Sequence, residues 1–387
     1  MILGIDAHNI RAGGGLNYLI EILNHFDEKD SKFTKIVIWA LPHVLEKIEN
    51  KNIFEKKNHW LLSQNINAYK DLGQFKRFVW HYFFQSKTFK QSKCDLVFIP
   101  GPYQLSGFNK YIIINQNYLP FDDKELKKIW PSIRYFKMKI LKYLQIFSFK
   151  NSSGIIFLSE FTFNSLSKYI NINLLNKTKI IPLGVNNQFC FKQRILKKNS
   201  EFNKKNPFKL VYVSTIDTYK NHINVFEATK QLVDKGYNIH ISFIGPSYNS
   251  SLKKLINKMS LLDRKNIFSE YIGEVSYENL LKYYREADLK IFASSCEAMP
   301  SILIEAMASG LPLACSNIGP MPEMAKDAAI YFNPNEVESI KEVIEKIFLN
   351  YQLREKLSTN SLNLSKKYSW KICSKETFNF FENVIKN

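Results

Sequence analysis

Short apolar runs recur along the chain, and most are followed by a stretch whose apolar residues fall at helical spacing. Ile2–Ile5, Lys35–Trp39, Leu96–Ile99, Tyr111–Asn115, Gly154–Leu158 and Lys179–Pro182 read as buried strands. After the first of them, Leu16, Leu19, Ile20 and Leu23 repeat on one helix face. Residues 190–207, CFKQRILKKNSEFNKKNP, lose the period, are charged and Asn-rich, and read as a linker. The alternation then restarts. Leu210–Ser214, Ile239–Gly245, Leu289–Ala293, Leu313–Ser316 and Ala329–Phe332 read as strands. Val225–Lys235 and Tyr277–Ala287 read as helices, and the chain is helical from Val337 onward. Nearly continuous apolar strands alternating with helices predict an α/β protein with parallel sheets covered on both faces. The expected organisation is a domain over 1–189, the linker, a second domain over 208–365 and a C-terminal helical segment over 366–387.

The segment from Ile291 to Glu323 carries the densest chemistry. It predicts a strand, an acidic loop holding Glu297, a helix opened by Pro300 and containing Glu305, and a stop at Gly310 and Pro312. The backbone N–H groups of Ser301 and Ile302, just after Pro300 at the start of that helix, suit a phosphate. Two acids around a phosphate site suit a ligand with many hydroxyls, such as a nucleotide sugar. Two glutamates eight apart also arise by chance, as a solvated loop acid and a surface helix acid; here the neighbours favour a site. Gly13, Gly14 and Gly15 follow the first strand, where glycine lets backbone approach phosphate closely, although a plain turn reads equally well. Lys220 lies just before a helix, where a cation gains nothing from the helix dipole unless it faces an anion.

These residues carry a resemblance. Glu297 and Glu305, then Ala306-Met307-Ala308-Ser309-Gly310-Leu311-Pro312, then Gly319 and Glu323, resemble the signature of retaining glycosyltransferase family 4. Ile181-Pro182-Leu183-Gly184-Val185 resembles that family's turn before the linker, and Tyr368-Ser369-Trp370 its C-terminal signature. The resemblance implies a GT-B fold: two Rossmann-like domains facing across a cleft, with the last helix returning to the N-terminal domain. It implies that Lys220 neutralises the donor diphosphate and that Thr215, where the family commonly has Arg, hydrogen-bonds it. It places the Gly13–Gly15 loop under the donor phosphate and Gly273, in Ile272-Gly273-Glu274, in the base-binding loop. It gives Glu297 to the donor sugar hydroxyls and Glu305 to the ribose. Asn115-Gln116-Asn117 stands where relatives carry His, and Asn117 is a candidate for sugar hydroxyls or, equally, the cap of a turn.

Composition narrows the setting. Lys+Arg is 54 against Asp+Glu 35, a net charge of +19, which favours anionic surfaces. Five cysteines without a CxxC pair suit a reducing cytoplasm. No Asp-x-Asp, GxSxG or GxxxxGK[ST] occurs, and the histidines lack ligand spacing, so no metal and no cofactor beyond the donor is expected. The N-terminus reads as a strand rather than a signal peptide. Lys76–Lys93 and Arg134–Lys150 mix cations with aromatic residues and read either as membrane-interface helices or as crossover helices with an apolar side in the core. No nucleic-acid motif accompanies them. The resulting expectation is a retaining, metal-independent hexosyltransferase, with a UDP-sugar favoured as donor and GDP-mannose second. Its acceptor is a saccharide, lipid-linked, and it works at the inner face of the cell membrane in lipopolysaccharide or polysaccharide synthesis. A GT-B sugar-nucleotide epimerase and a non-catalytic saccharide-binding protein are the alternatives.

Overall fold

A computed structural model describes residues 1–11, 13–49, 61–63, 85–170 and 172–386. Its contacts divide the chain into two compact units.

The N-terminal unit comprises Met1–Phe121, Trp130–Gly184 and Ser369–Asn387. Its strands are β1 (Ile2–Ala7), β2 (Lys35–Ala40), β3 (Leu61–Ser63), β4 (Leu96–Ile99), β5 (Tyr111–Asn115), β6 (Gly154–Phe157) and β7 (Thr178–Ile180). They form one parallel sheet in the order β3-β2-β1-β4-β5-β6-β7. β4, β5 and β6 are buried along their whole length, as expected where helices cover both faces. Helix α1 (Gly14–Asn24) follows β1, and α2 (Ile133–Asn151) connects β5 to β6. The C-terminal helix Trp370–Lys386 packs onto this unit. Its Phe378 meets Phe26 at 4.2 Å between ring centroids, and its Phe381 meets Phe98 at 4.8 Å. Ser374 donates to the Ile22 carbonyl at 2.7 Å, and Glu382 accepts from the Lys32 N–H at 2.7 Å.

The C-terminal unit comprises Asp122–Ile129 and Val185–Tyr368. Its strands are β8 (Phe208–Val213), β9 (Ile239–Ile244), β10 (Ser269–Gly273), β11 (Leu289–Phe292), β12 (Leu313–Ser316) and β13 (Ala329–Phe332). They pair in parallel in the order β10-β9-β8-β11-β12-β13. The helices that matter below are α3 (His222–Asp234), α4 (Tyr277–Glu286) and α5 (Ser301–Ala308). In each sheet the strand order reverses once, between β1 and β4 and between β8 and β11. A doubly wound sheet binds its ligand outside the carboxyl ends of the strands flanking that reversal.

The division differs from the expected one, the C-terminal unit running from Val185 to Tyr368 and taking in Asp122–Ile129. Residues 190–207, expected as a linker, fall within the C-terminal unit and are tied to it. Arg194 donates to the carbonyls of Tyr284 (2.8 Å) and Ala287 (2.5 Å), so it closes the C-terminal end of α4. The buried Arg354 holds the Lys197 carbonyl at 3.0 Å and Asn199 Oδ1 at 2.7 Å. Residues 122–129, expected in the first domain, belong to the C-terminal unit, where Lys128 bonds Asn335 Oδ1 at 3.0 Å. Of the first basic aromatic stretch, residues 76–84 lie outside the described residues; Gln85–Gln91 is a short helix. Among the described residues no helix is long and apolar enough to cross a membrane.

Candidate active site

In the C-terminal unit, the loops leaving β8 and β11 hold most of the predicted residues. After β8, Asp217 accepts from the Thr218 N–H at 2.7 Å and starts a single 3-10 turn, Thr218–Lys220. Asn221 follows in the left-handed conformation (φ 53°), which Asn tolerates better than most residues. Its side chain donates to the Ala293 carbonyl at 2.9 Å. The Ser295 N–H donates back to the Tyr219 carbonyl at 2.9 Å. These cross-links join the two loops at the point where the strand order reverses.

Lys220 and Glu297 meet there as an ion pair. Their side chains are only 7% and 14% exposed. Burial pulls the Lys220 ammonium down, but Glu297 and Tyr212 outweigh it and leave the pKa above its usual value. Lys220 is therefore a fixed cation with little water around it. Removing either member of such a pair strands the other charge in a poorly solvated place. The Tyr212 hydroxyl donates to the Lys220 carbonyl at 2.5 Å, and the Tyr212 ring stacks on His222 at 4.5 Å. His222 shares a 2.9 Å hydrogen bond with Ser214 Oγ. Burial, then Lys220 and Lys290, push its pKa down to about 3, so it stays neutral.

Helix α5 begins beside this pair. Pro300 occupies the cap position rather than the first helical turn, and no side chain caps the helix. The first amide groups, at Ser301 and Ile302, thus retain their donor capacity for a ligand. The helix closes as predicted. Gly310 (φ +66°) donates to the Met307 carbonyl at 2.9 Å, and Leu311 to Ala306 at 3.2 Å. This is the double hydrogen bond of a Schellman cap, which needs a left-handed residue at Gly310.

Glu305 lies on α5 and is 8% exposed. Burial pushes its carboxyl up to about 7, against the pull of Lys290. Lys290 sits in the middle of β11, fully buried, with Nζ donating to the Val213 carbonyl at 3.4 Å and lying 5.3 Å from the Tyr284 ring centre. Burial brings its pKa down to about 7. Sequence reasoning missed Lys290. The signal was a lysine inside an otherwise apolar strand, Leu-Lys-Ile-Phe. Thr215 follows β8 and Gly273 ends β10; between them lies Gly245, whose N–H donates to the Gly273 carbonyl at 2.8 Å and at which a Cβ would lie 3.4 Å from the Thr215 nitrogen. A side chain at Gly273 would meet no atom within 4 Å, so that loop faces open space.

The N-terminal unit holds the rest. Gly13 caps α1 at φ +73°, and neither Gly13 nor Gly14 has an atom within 4 Å of the place of a Cβ. A Cβ at Gly15 would lie 3.3 Å from Gln116 Oε1. Gln116, rather than Asn117, is thus the amide beside the glycine loop. Of the two readings of Asn117, the turn cap is present: Oδ1 accepts from the Leu119 N–H at 3.1 Å. Its exposed amide N–H₂ is the part left for a ligand. A second missed group is the cluster at the end of β1, where the buried Asp6 bonds both His8 and Gln85. Gln85 is 79 residues away in sequence, so no local pattern points to it.

Two sheets of this order, with charged loops at the strand-order reversal of the second, define the class of protein: a GT-B fold. Solved structures agree. A glycosyltransferase from Rickettsia africae is 16% identical, with 100% of this chain and 99% of that chain covered at a TM-score of 0.69. The Anabaena protein HepE in complex with UDP and glucose is 14% identical, with 99% and 100% covered at 0.71. Residues 193–363 match the model of the family glycosyl transferases group 1. O-antigen chain mannosyltransferase B of Escherichia coli is 26% identical over 172 residues, 44% of this chain and 45% of that protein. The chain thus spans less than half the length of this relative.

Proposed function

We propose that the protein is a retaining glycosyltransferase. It moves a sugar from a nucleoside-diphosphate donor to a hydroxyl of a saccharide acceptor, lipid-linked, in surface-polysaccharide or lipopolysaccharide synthesis at the inner membrane face. The observation that carries this reading is the buried Lys220–Glu297 pair beside the uncapped start of α5. Such a place offers fixed positive charge and free N–H groups where a leaving diphosphate gains negative charge. Diphosphate takes the Lys220 ammonium over from Glu297, which turns to the donor sugar hydroxyls. Thr215 and the amides of Ser301 and Ile302 bind the phosphates, Glu305 the ribose, and the Gly273 loop the base. In the N-terminal unit, the Gly13–Gly15 loop and the Asn117 amide take sugar or acceptor groups.

The bond from the anomeric carbon to the diphosphate oxygen breaks, and the acceptor oxygen bonds that carbon on the same face. The acceptor proton passes to the leaving phosphate, so no metal and no enzyme nucleophile is required. The UDP held by HepE favours a UDP-sugar as donor. The mannosyltransferase name of the E. coli relative keeps GDP-mannose second.

Calorimetric titration with UDP, GDP, ADP and NAD tests the site. One nucleoside diphosphate binds selectively, and Glu305→Ala weakens it. No nucleotide binding by the folded protein would refute the proposal. The same titration has a predicted pH dependence. Glu305, with its carboxyl at about 7, is mostly protonated at pH 6 and mostly ionised at pH 8. A carboxylate accepts ribose hydroxyls better than an acid, so affinity rises by up to about tenfold across that range. Lys290→Met removes the neighbouring cation and moves the midpoint to higher pH. An affinity independent of pH in both proteins would exclude Glu305 from the ribose site.

A further inference from the structure

Helix α2 carries a feature that the proposed transfer does not use. Ile133, Phe136, Ile140, Tyr143 and Phe147 follow one another at spacings of three and four, so they share one face, and Trp130, in the turn before the helix, meets Phe136 at 5.5 Å between ring centroids. All six are at least half exposed; Ile133 is 77% and Tyr143 72% exposed. The opposite face, with Gln145, Ser148 and Phe149, is buried in the N-terminal unit. The unit is therefore already closed behind α2, and the apolar ridge belongs to its outer surface. At 1.5 Å per residue the helical part of the ridge, Ile133 to Phe147, is about 21 Å long. A soluble monomer seldom displays a contiguous apolar strip of that size without a partner.

The charge on α2 selects the partner. The helix contains Arg134, Lys137, Lys139, Lys142 and Lys150 and no acidic residue. A second copy of the chain seated on the ridge would bring two such sets of cations together, which opposes association. An anionic lipid surface accepts both parts: acyl chains take the ridge and headgroups take the cations.

We propose that α2 is a membrane-docking helix that lies in the plane of an anionic bilayer, with the ridge from Trp130 to Phe147 inserted below the headgroups. This deepens the membrane-surface setting of the proposed function and rests on it for its purpose, though not for its test.

The test is co-sedimentation of the full chain with vesicles of phosphatidylglycerol and phosphatidylcholine (1:1) and with phosphatidylcholine alone. The wild type binds the mixed vesicles and binds the neutral ones at least tenfold more weakly. Phe136→Glu/Ile140→Glu lowers binding to the mixed vesicles at least tenfold, while its melting temperature and nucleotide titration match the wild type. Phe147→Ser, a milder change, lowers binding by a smaller factor. Equal binding by ridge variants and wild type, abolished by 0.5 M NaCl, would show adsorption by charge alone and overturn the insertion. A wild type that sediments as a dimer without lipid, and a double variant that is monomeric, would assign the ridge to a second copy and overturn the proposal. Because the nucleotide titration is run on the same proteins, loss of vesicle binding and failure of the donor site are read separately.

Discussion

Lys220→Ala lowers kcat/KM for sugar transfer by about 10²–10³-fold, the range expected when a preorganised charge facing a leaving group is removed. Two effects add. The diphosphate loses its buried cation, and Glu297, only 14% exposed, keeps a carboxylate with no ammonium beside it. The second effect repels the donor phosphates directly. A Lys220→Ala/Glu297→Gln double variant removes that repulsion and recovers donor affinity relative to Lys220→Ala, while turnover stays low. Steady-state kinetics and donor titration on the three variants check this. If Lys220→Ala leaves kcat/KM within a factor of three of wild type, the pair is structural and the diphosphate binds elsewhere.

Gly184→Ala unfolds the N-terminal unit at a markedly lower temperature. A Cβ at residue 184 would lie 2.1 Å from the Trp370 backbone nitrogen, 2.5 Å from its Cα and 2.6 Å from the Ser369 carbonyl carbon. Every one of these is backbone, so no side-chain rotation relieves the clash. Gly184 is placed by Ile181 and Leu183, both buried, and Trp370 by its edge contact with Tyr18 at 6.2 Å. Neither segment can move without opening the core under the C-terminal helix. A loss of about 4 kcal/mol or more follows, at the upper end for single substitutions. For a unit of this size that is a fall of roughly 10 °C in Tm. Differential scanning calorimetry reads it. An unchanged melting temperature would show that residues 369–370 are not packed on Gly184 as described.

The strands were legible because parallel strands buried on both faces write themselves as short apolar runs. Tyr111–Asn115 and Leu96–Ile99 coincide with β5 and β4. The end of α5 was legible for a local reason: Gly310 supplies the one conformation its cap requires. What could not be read depends on partners distant in sequence. Arg194 ties down the expected linker by reaching carbonyls 90 and 93 residues away. Asp6 gathers His8 and Gln85 only once β1 and the helix Gln85–Gln91 are in place. Lys290 broke the apolar pattern of its strand, yet only the packed sheet shows that it lies buried near Glu305. The site residues themselves were singled out one by one in the sequence. That Lys220 and Glu297, 77 residues apart, form one ion pair is a property of the strand-order reversal, where two loops distant in the chain become neighbours.

The central claim is transfer, and product analysis of one reaction tests it most directly. The full chain is incubated with a labelled UDP-sugar or GDP-mannose and lipid-linked saccharides extracted from membranes. The proposed function predicts label in a glycoside with the donor's anomeric configuration, one nucleoside diphosphate released per sugar moved, and no product with Glu297→Gln. Label recovered in a different sugar nucleotide, with no glycoside formed, would contradict it and identify an epimerase. Donor bound tightly but returned unchanged with every acceptor would contradict it equally and leave a saccharide-binding protein of the same fold.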